Sequence, residues 1–123
     1  MKNDCCTTAR ERMVVACSGA SNLGQITNAV AVRMQKEGSG QMSCLAALGA
    51  QVDSYIDSAN TSDLIIIDGC PIACGKKVAE KLGVAEYRYF EISQMLSDVK
   101  RAKIYDQVDE HAAVAFNLVV NAL

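Results

Sequence analysis

Leu64-Ile65-Ile66-Ile67-Asp68-Gly69-Cys70-Pro71-Ile72-Ala73-Cys74-Gly75 carries a continuous apolar run into two cysteines that stand four residues apart. An unbroken Leu/Ile run of this length, closed by turn residues, has the pattern of a parallel strand covered on both faces by helices. Met13-Val14-Val15-Ala16 repeats the pattern upstream and also runs into a cysteine, Cys17. Both runs are predicted to be central strands. Pro71 suits a first helical turn, where its missing N–H would be unpaired in any case. A helix is therefore predicted from about Pro71 to Leu82, with Cys70 as its cap and Gly83 ending it.

Between the two apolar runs lie two helical stripes, one of Leu23, Ile26, Val30 and Met34, the other of Leu45, Leu48, Val52 and Ile56. Gly38 should end the first helix, and Gly49 weakens the second. Gln41-Met42-Ser43 fits a short strand between them, and Glu86 to Phe90 fits another. Residues 93 to 107 read as a broken helix and a loop, and a final helix begins at Val108 with Ala112, Ala115, Phe116, Val119 and Leu123 on one face. Strands alternating with helices predict an α/β fold: a single-domain, Rossmann-like open sheet, mostly parallel, of about four strands with helices on both faces. Residues 1–11 read as an N-terminal tail holding Cys5 and Cys6, and 12–123 as one α/β metal-binding domain.

Open α/β sheets place their sites beyond the strand C-termini. Cys17 follows the first strand, Cys44 closes the second and Cys70 comes just after the third, at successive spacings of 27 and 26 residues. One βα unit takes about that much chain, given roughly 30 residues for a complete βαβ motif, so these thiols are expected at one rim of the sheet. If Cys70 and Cys74 shared a helical face, their Cβ atoms would stand about 5–6 Å apart, close enough to serve one ion. The competing reading is that either pair consists of buried core thiols.

The residues around the thiols carry two readings each. Asp68 is expected to cap nearby amides, with a supporting contact to a metal ligand as the sharper alternative. Gly69 and Gly75 allow close approach, either of a ligand or of packed backbone. In Cys17-Ser18-Gly19-Ala20-Ser21-Asn22-Leu23-Gly24, Ser21 and Asn22 are most simply helix caps, with a hydrogen bond to thiolate sulfur as the alternative. The loop is of a kind whose amides can cradle an anion, yet it matches neither a Walker motif nor a dinucleotide fingerprint. It is similar in outline to the Cys-x5-Arg loop of low-molecular-weight phosphatases and arsenate reductases, but Leu23 stands at the arginine position. His111, the single histidine, is far along the chain from every cysteine and gives little support to a histidine-based hydrolase.

Composition narrows the class further. The chain has 123 residues, half of them hydrophobic, a single proline and a formal charge of −2, which fits one compact domain and excludes disorder. The cations are scattered apart from Lys76-Lys77 and Lys100-Arg101-Ala102-Lys103, read as solvated faces, with docking of an acidic partner as the alternative for the second, so no nucleic-acid backbone is expected as a partner. Neither a signal peptide's apolar segment nor a membrane span is visible, so no membrane partner and a cytoplasmic location are expected. In that reducing setting six cysteines point to metal ligands or reactive thiols rather than disulfides.

Ala16-Cys17-Ser18-Gly19-Ala20-Ser21-Asn22, Cys44-Leu45-Ala46 and Ile67-Asp68-Gly69-Cys70-Pro71-Ile72-Ala73-Cys74, taken together, resemble the Asp-Gly-Cys (DGC) domain family of small prokaryotic zinc-binding proteins. The resemblance runs over roughly residues 12 to 105 and implies chelation of a metal ion by four cysteines, which fall here on Cys17, Cys44, Cys70 and Cys74. The leading expectation is a zinc ion held at the sheet's C-terminal rim, in a metal-handling or sensing role. A closed shell of thiolates favours that over hydrolysis, because catalytic zinc keeps an open position. Two alternatives stand beside it: a thiol redox or group-transfer enzyme with Cys17 or Cys70 as nucleophile, and an iron-sulfur protein. Protein partners and oligomeric state are left open.

Overall fold

The computed structural model describes residues 10–123, so the expected Cys5-Cys6 tail lies outside the described residues. Strands β1 (Arg12–Ala16), β2 (Gln41–Met42), β3 (Asp63–Asp68) and β4 (Arg88–Glu91) form one parallel sheet in the order β2-β1-β3-β4. The fold is therefore a single α/β domain with a Rossmann-like open sheet, here parallel throughout. Its apolar runs sit where their hydrophobicity requires: β1 and β3 occupy the centre, paired from Arg12↔Asp63 to Ala16↔Ile67.

Alternation along these strands splits the core into two layers. Val14, Ala16, Ile65 and Ile67 face α1 (Asn22–Glu37), with α5 (Ile92–Met95) and α6 (Val108–Asn121) packed into the same layer. Val15, Leu64 and Ile66 face the opposite way, toward α2 (Leu45–Gly49), α3 (Asp53–Thr61) and α4 (Cys74–Lys81). Each fully buried Val, Leu or Ile stabilises the fold by about 1.5–3 kcal/mol relative to exposure. α1 starts on Ser21, whose hydroxyl accepts from the Gly24 amide at 3.2 Å, and stops at Gly38, which takes φ +78°.

Two helices depart from expectation. The stripe from Leu45 to Ile56 is not one helix but two, because Gln51 turns left-handed at φ 61° just after Gly49. The helix expected from Pro71 begins instead at Cys74. Cys70-Pro71-Ile72-Ala73 forms a turn closed by the Ala73 amide on the Cys70 carbonyl, 3.1 Å, with Pro71 in the second position where its preset φ fits. Residues 93 to 107 form the expected broken segment, only α5 and irregular chain.

No helix among the described residues is long and apolar enough to cross a membrane.

Candidate thiol site at the sheet switch point

From β1 the chain crosses to β2 on one side and later returns to β3 on the other, so the layout reverses between β1 and β3. Helices leave on opposite faces at that place, and the C-terminal crevice between the two strands stays open. Cys17 sits at its mouth, its amide donating to the Ile67 carbonyl at 3.0 Å. The crevice widens into a cavity of about 390 Å³ lined by Cys17, Cys70 and Cys74. Three thiols from the segments that follow β1 and β3 thus share one space. Cys17 and Cys70 are half-buried, Cys74 is exposed, and all are free.

Cys44 stands apart. Continuing the register from Val14↔Met42 sets it opposite Ala16, one residue short of Cys17, but its exposed side chain does not line the cavity. Cys70 and Cys74 do not share a helical face as expected, since Cys70 precedes the turn and Cys74 opens α4. Among the described residues no three Cys, His, Asp or Glu side chains stand together closely enough to hold an ion. As soft sulfur donors the cysteines suit zinc; as placed, they surround a space rather than a point.

Backbone at this rim is unusually constrained. Among the described residues three non-glycine residues adopt positive φ, and two of them adjoin cavity cysteines: Ser18 at 52°, after Cys17, and Ala73 at 59°, before Cys74. Such a conformation costs roughly 1–2 kcal/mol for a residue with a Cβ. Thr27, fully buried, holds Ser18 by accepting its amide at 3.0 Å, donates to the Gly24 carbonyl at 2.6 Å, and lies 3.7 Å from the Cys17 sulfur. With its proton directed to Gly24, the hydroxyl presents a lone pair to the Cys17 S–H.

Asp68 resolves as a cap. Its buried carboxylate accepts from the Gly75 amide at 2.8 Å, the Lys76 amide at 3.1 Å and the Tyr89 hydroxyl at 2.8 Å. Ala73 has no capping side chain, so Asp68 performs that task for α4 from the end of β3, and this fixes the helix start at Cys74. Burial, then the hydrogen bond to Asp68, push the Tyr89 phenol far above its ordinary value of 10.0. The Lys76 ammonium lies 4.6 Å over the Tyr89 ring rather than at the cavity.

Both glycines beside Asp68 are there for packing. A Cβ on Gly69 would meet the Gly24 amide nitrogen and the Leu23 carbonyl carbon at 2.8 Å, and one on Gly75 would meet the Asp68 carboxylate at the same distance. Gly24 is tighter still, at 2.5 Å from the Gly19 nitrogen. The Cys17–Gly24 loop and the Asp68–Cys70 turn are thus pressed backbone to backbone, and this contact brings Cys17 and Cys70 to the same cavity.

Asn22 faces neither sulfur nor metal space. Its amide donates to the Ala102 carbonyl at 2.8 Å, while its side chain accepts from the Ala102 amide at 2.8 Å and donates to the Lys100 carbonyl at 2.9 Å. The chain from Lys100 to Lys103 is thereby strapped across the cavity, and Arg101 and Lys103 line it. The sequence showed the two cations as a cluster but did not place them at the thiols, and it gave no sign of Thr27. His111 lines a different depression.

A three-layer α/β domain with a thiol-lined crevice at its switch point defines the class. A profile of the DGC domain matches residues 13–116, and the chain belongs to that family. It is also similar to the "Anaerobic and virulence modulator AnvM" of Pseudomonas aeruginosa, 37% identical over 65 residues that cover 52% of this chain and 50% of that protein. The matched segment thus spans about half of the relative. No solved structure matches the chain significantly.

Proposed function

We propose that this DGC-domain protein binds a zinc ion through its rim cysteines and uses the bound metal in a regulatory role, as a metal or redox sensor. The observation that carries the reading is the gathering of Cys17, Cys70 and Cys74 around one cavity by the chain segments that follow β1 and β3. Thiolates are zinc ligands of choice, and a reducing cytoplasm, the expected setting, keeps them available. Cys17, Cys70 and Cys74 form the core of the donor set, with Cys44 completing it from the neighbouring strand end. Because the sulfurs do not already meet, binding draws the Cys70–Ala73 turn and Cys44 inward, so metal occupancy changes the shape of the rim. A regulatory rather than catalytic role accords with the relative's name, which speaks of modulation, and with a donor set that fills zinc's usual four positions.

Elemental analysis of protein prepared without oxygen tests this. One zinc per chain is expected, lost in Cys17→Ser and Cys70→Ser, with Cys44→Ser retaining weakened binding. Chelation should lower stability by about 2.7 kcal/mol relative to protein held at a hundredfold excess of zinc over its Kd. Metal-free wild-type protein, or full zinc content in Cys17→Ser, would overturn the proposal. The separation of the sulfurs favours one competitor, a metal-free thiol redox or transfer site using Cys17 or Cys70. Metal-free protein with one unusually fast thiol is its signature, as iron and visible absorbance would be for a cluster.

A further inference from the structure

Two cations and no acid face the thiols among the described residues. Among the described residues, the charged side chains lining the cavity are Arg101 and Lys103, with no carboxylate among them. Neither cation is within salt-bridge distance of a described carboxylate. The acids of the same segment, Asp98 and Asp106, line the separate depression that contains His111, and Asp68 is spent on α4 and Tyr89.

The placement of the two cations is built. Asn22, only 8% exposed, grips the strap at Lys100 and Ala102, on either side of Arg101. Just beyond Lys103, the Tyr105 hydroxyl donates to the Ala20 carbonyl at 2.6 Å. The strap cannot drift from the thiol loop without losing these bonds. Several amides of the thiol loop are already engaged, those of Asn22, Gln25 and Gly24 by Ala102, Ser21 and the Ser21 hydroxyl. The Ser18 amide is likewise taken by Thr27. The full positive charges facing an anion in the cavity are those of Arg101 and Lys103.

We infer that the thiol cavity selects small anionic electrophiles, with Arg101 and Lys103 drawing the negative group in beside Cys17 and Cys70. The inference rests on the shared thiol cavity of the preceding section but not on zinc. In the reaction a cavity sulfur forms a bond to the electrophilic carbon, the leaving group departs with its electron pair, and the thiol proton passes to water. A cleft lined by one sign of charge raises the local concentration of the opposite ion about tenfold or more, and salt removes the effect.

Iodoacetate and iodoacetamide differ in charge but deliver closely related groups. The full chain, freed of metal by a chelator, is treated with each, and the rate is followed at every cysteine by peptide mass analysis. Cys44, outside the cavity, is the internal reference. The iodoacetate-to-iodoacetamide rate ratio at Cys17 or Cys70 should exceed that at Cys44 by about fivefold or more. It should fall to the Cys44 value in an Arg101→Gln/Lys103→Gln chain and in high salt. Both substituted side chains are exposed, so folding is not at stake, and the salt series gives the same answer without substitution. Equal ratios at all cysteines would overturn the inference, and so would a high ratio that survives the double substitution. Zinc content of the untreated wild-type chain reports on the metal proposal separately.

Discussion

The same two strands, β1 and β3, end in opposite ways. At their N-terminal edge Asp63 takes Arg88 at 3.2 Å and Arg12 at 3.8 Å, and Arg10 takes Glu86 at 3.6 Å. A depression of about 810 Å³ opens there, larger than the thiol cavity, but its charges largely answer one another. At the C-terminal rim, backbones are pressed together, two residues hold left-handed turns, and cations face thiols with no acid between them among the described residues. One edge is a solvated seam of exposed ion pairs; the other carries constraint and chemistry. Size of depression is therefore a poor guide to the site, and unpaired chemical groups are a better one.

Glycine substitutions give the largest contrast. Gly69→Ala forces a Cβ against the Leu23-Gly24 backbone and should destabilise by about 3 kcal/mol, read in a denaturant titration. Gly40→Ala at the other edge, where a Cβ would sit 3.5 Å from the end of Met34, should change stability by less than about 0.5 kcal/mol. Equal effects at the two glycines would erase the distinction between the edges.

Acid substitutions come next. Asp68→Asn keeps one acceptor but turns an amide group toward a backbone donor, and should cost about 1–3 kcal/mol with hydrogen exchange rising at Gly75 and Lys76. Asp63→Asn, whose partners are exposed arginines, should cost no more than about 1 kcal/mol.

The smallest effect sharpens the picture of the rim by pH. The Tyr89 phenol is raised in the folded state, so its contribution is whole below about pH 10 and is lost as pH climbs toward the folded value. Tyr89→Phe should remove that alkaline loss and cost about 1 kcal/mol at neutral pH. An unchanged alkaline limb in the variant would show that Tyr89 is not its source.

Local pattern was enough to read the sheet and the strand-end placement of the cysteines. Val14, Val15 and Leu64 to Ile67 form runs too apolar for any position but the centre, and a strand's end fixes where the next residue emerges. Pro71 misled for an equally local reason: it is compatible with a helix start and with the second position of a turn. The choice was made by Asp68, whose carboxylate captures amides seven and eight residues on. Gly69 was legible as a close approach, but whether to ligand or to backbone depended on where Leu23 passes. Arg101 and Lys103 were legible as a cluster of charge but not as part of the thiol site, since the contacts that place them join residues 78 and 80 positions apart.

By itself the sequence determined the layers and the end of the sheet to which its thiols belong, because hydrophobic period and chain length per βα unit are local properties. Only the tertiary structure decided which thiols share a space, that Cys44 stays outside it, and that two cations close over it. Those outcomes depend on turn geometry and on one buried asparagine gripping a distant strap, and neither is written in the spacing of residues along the chain.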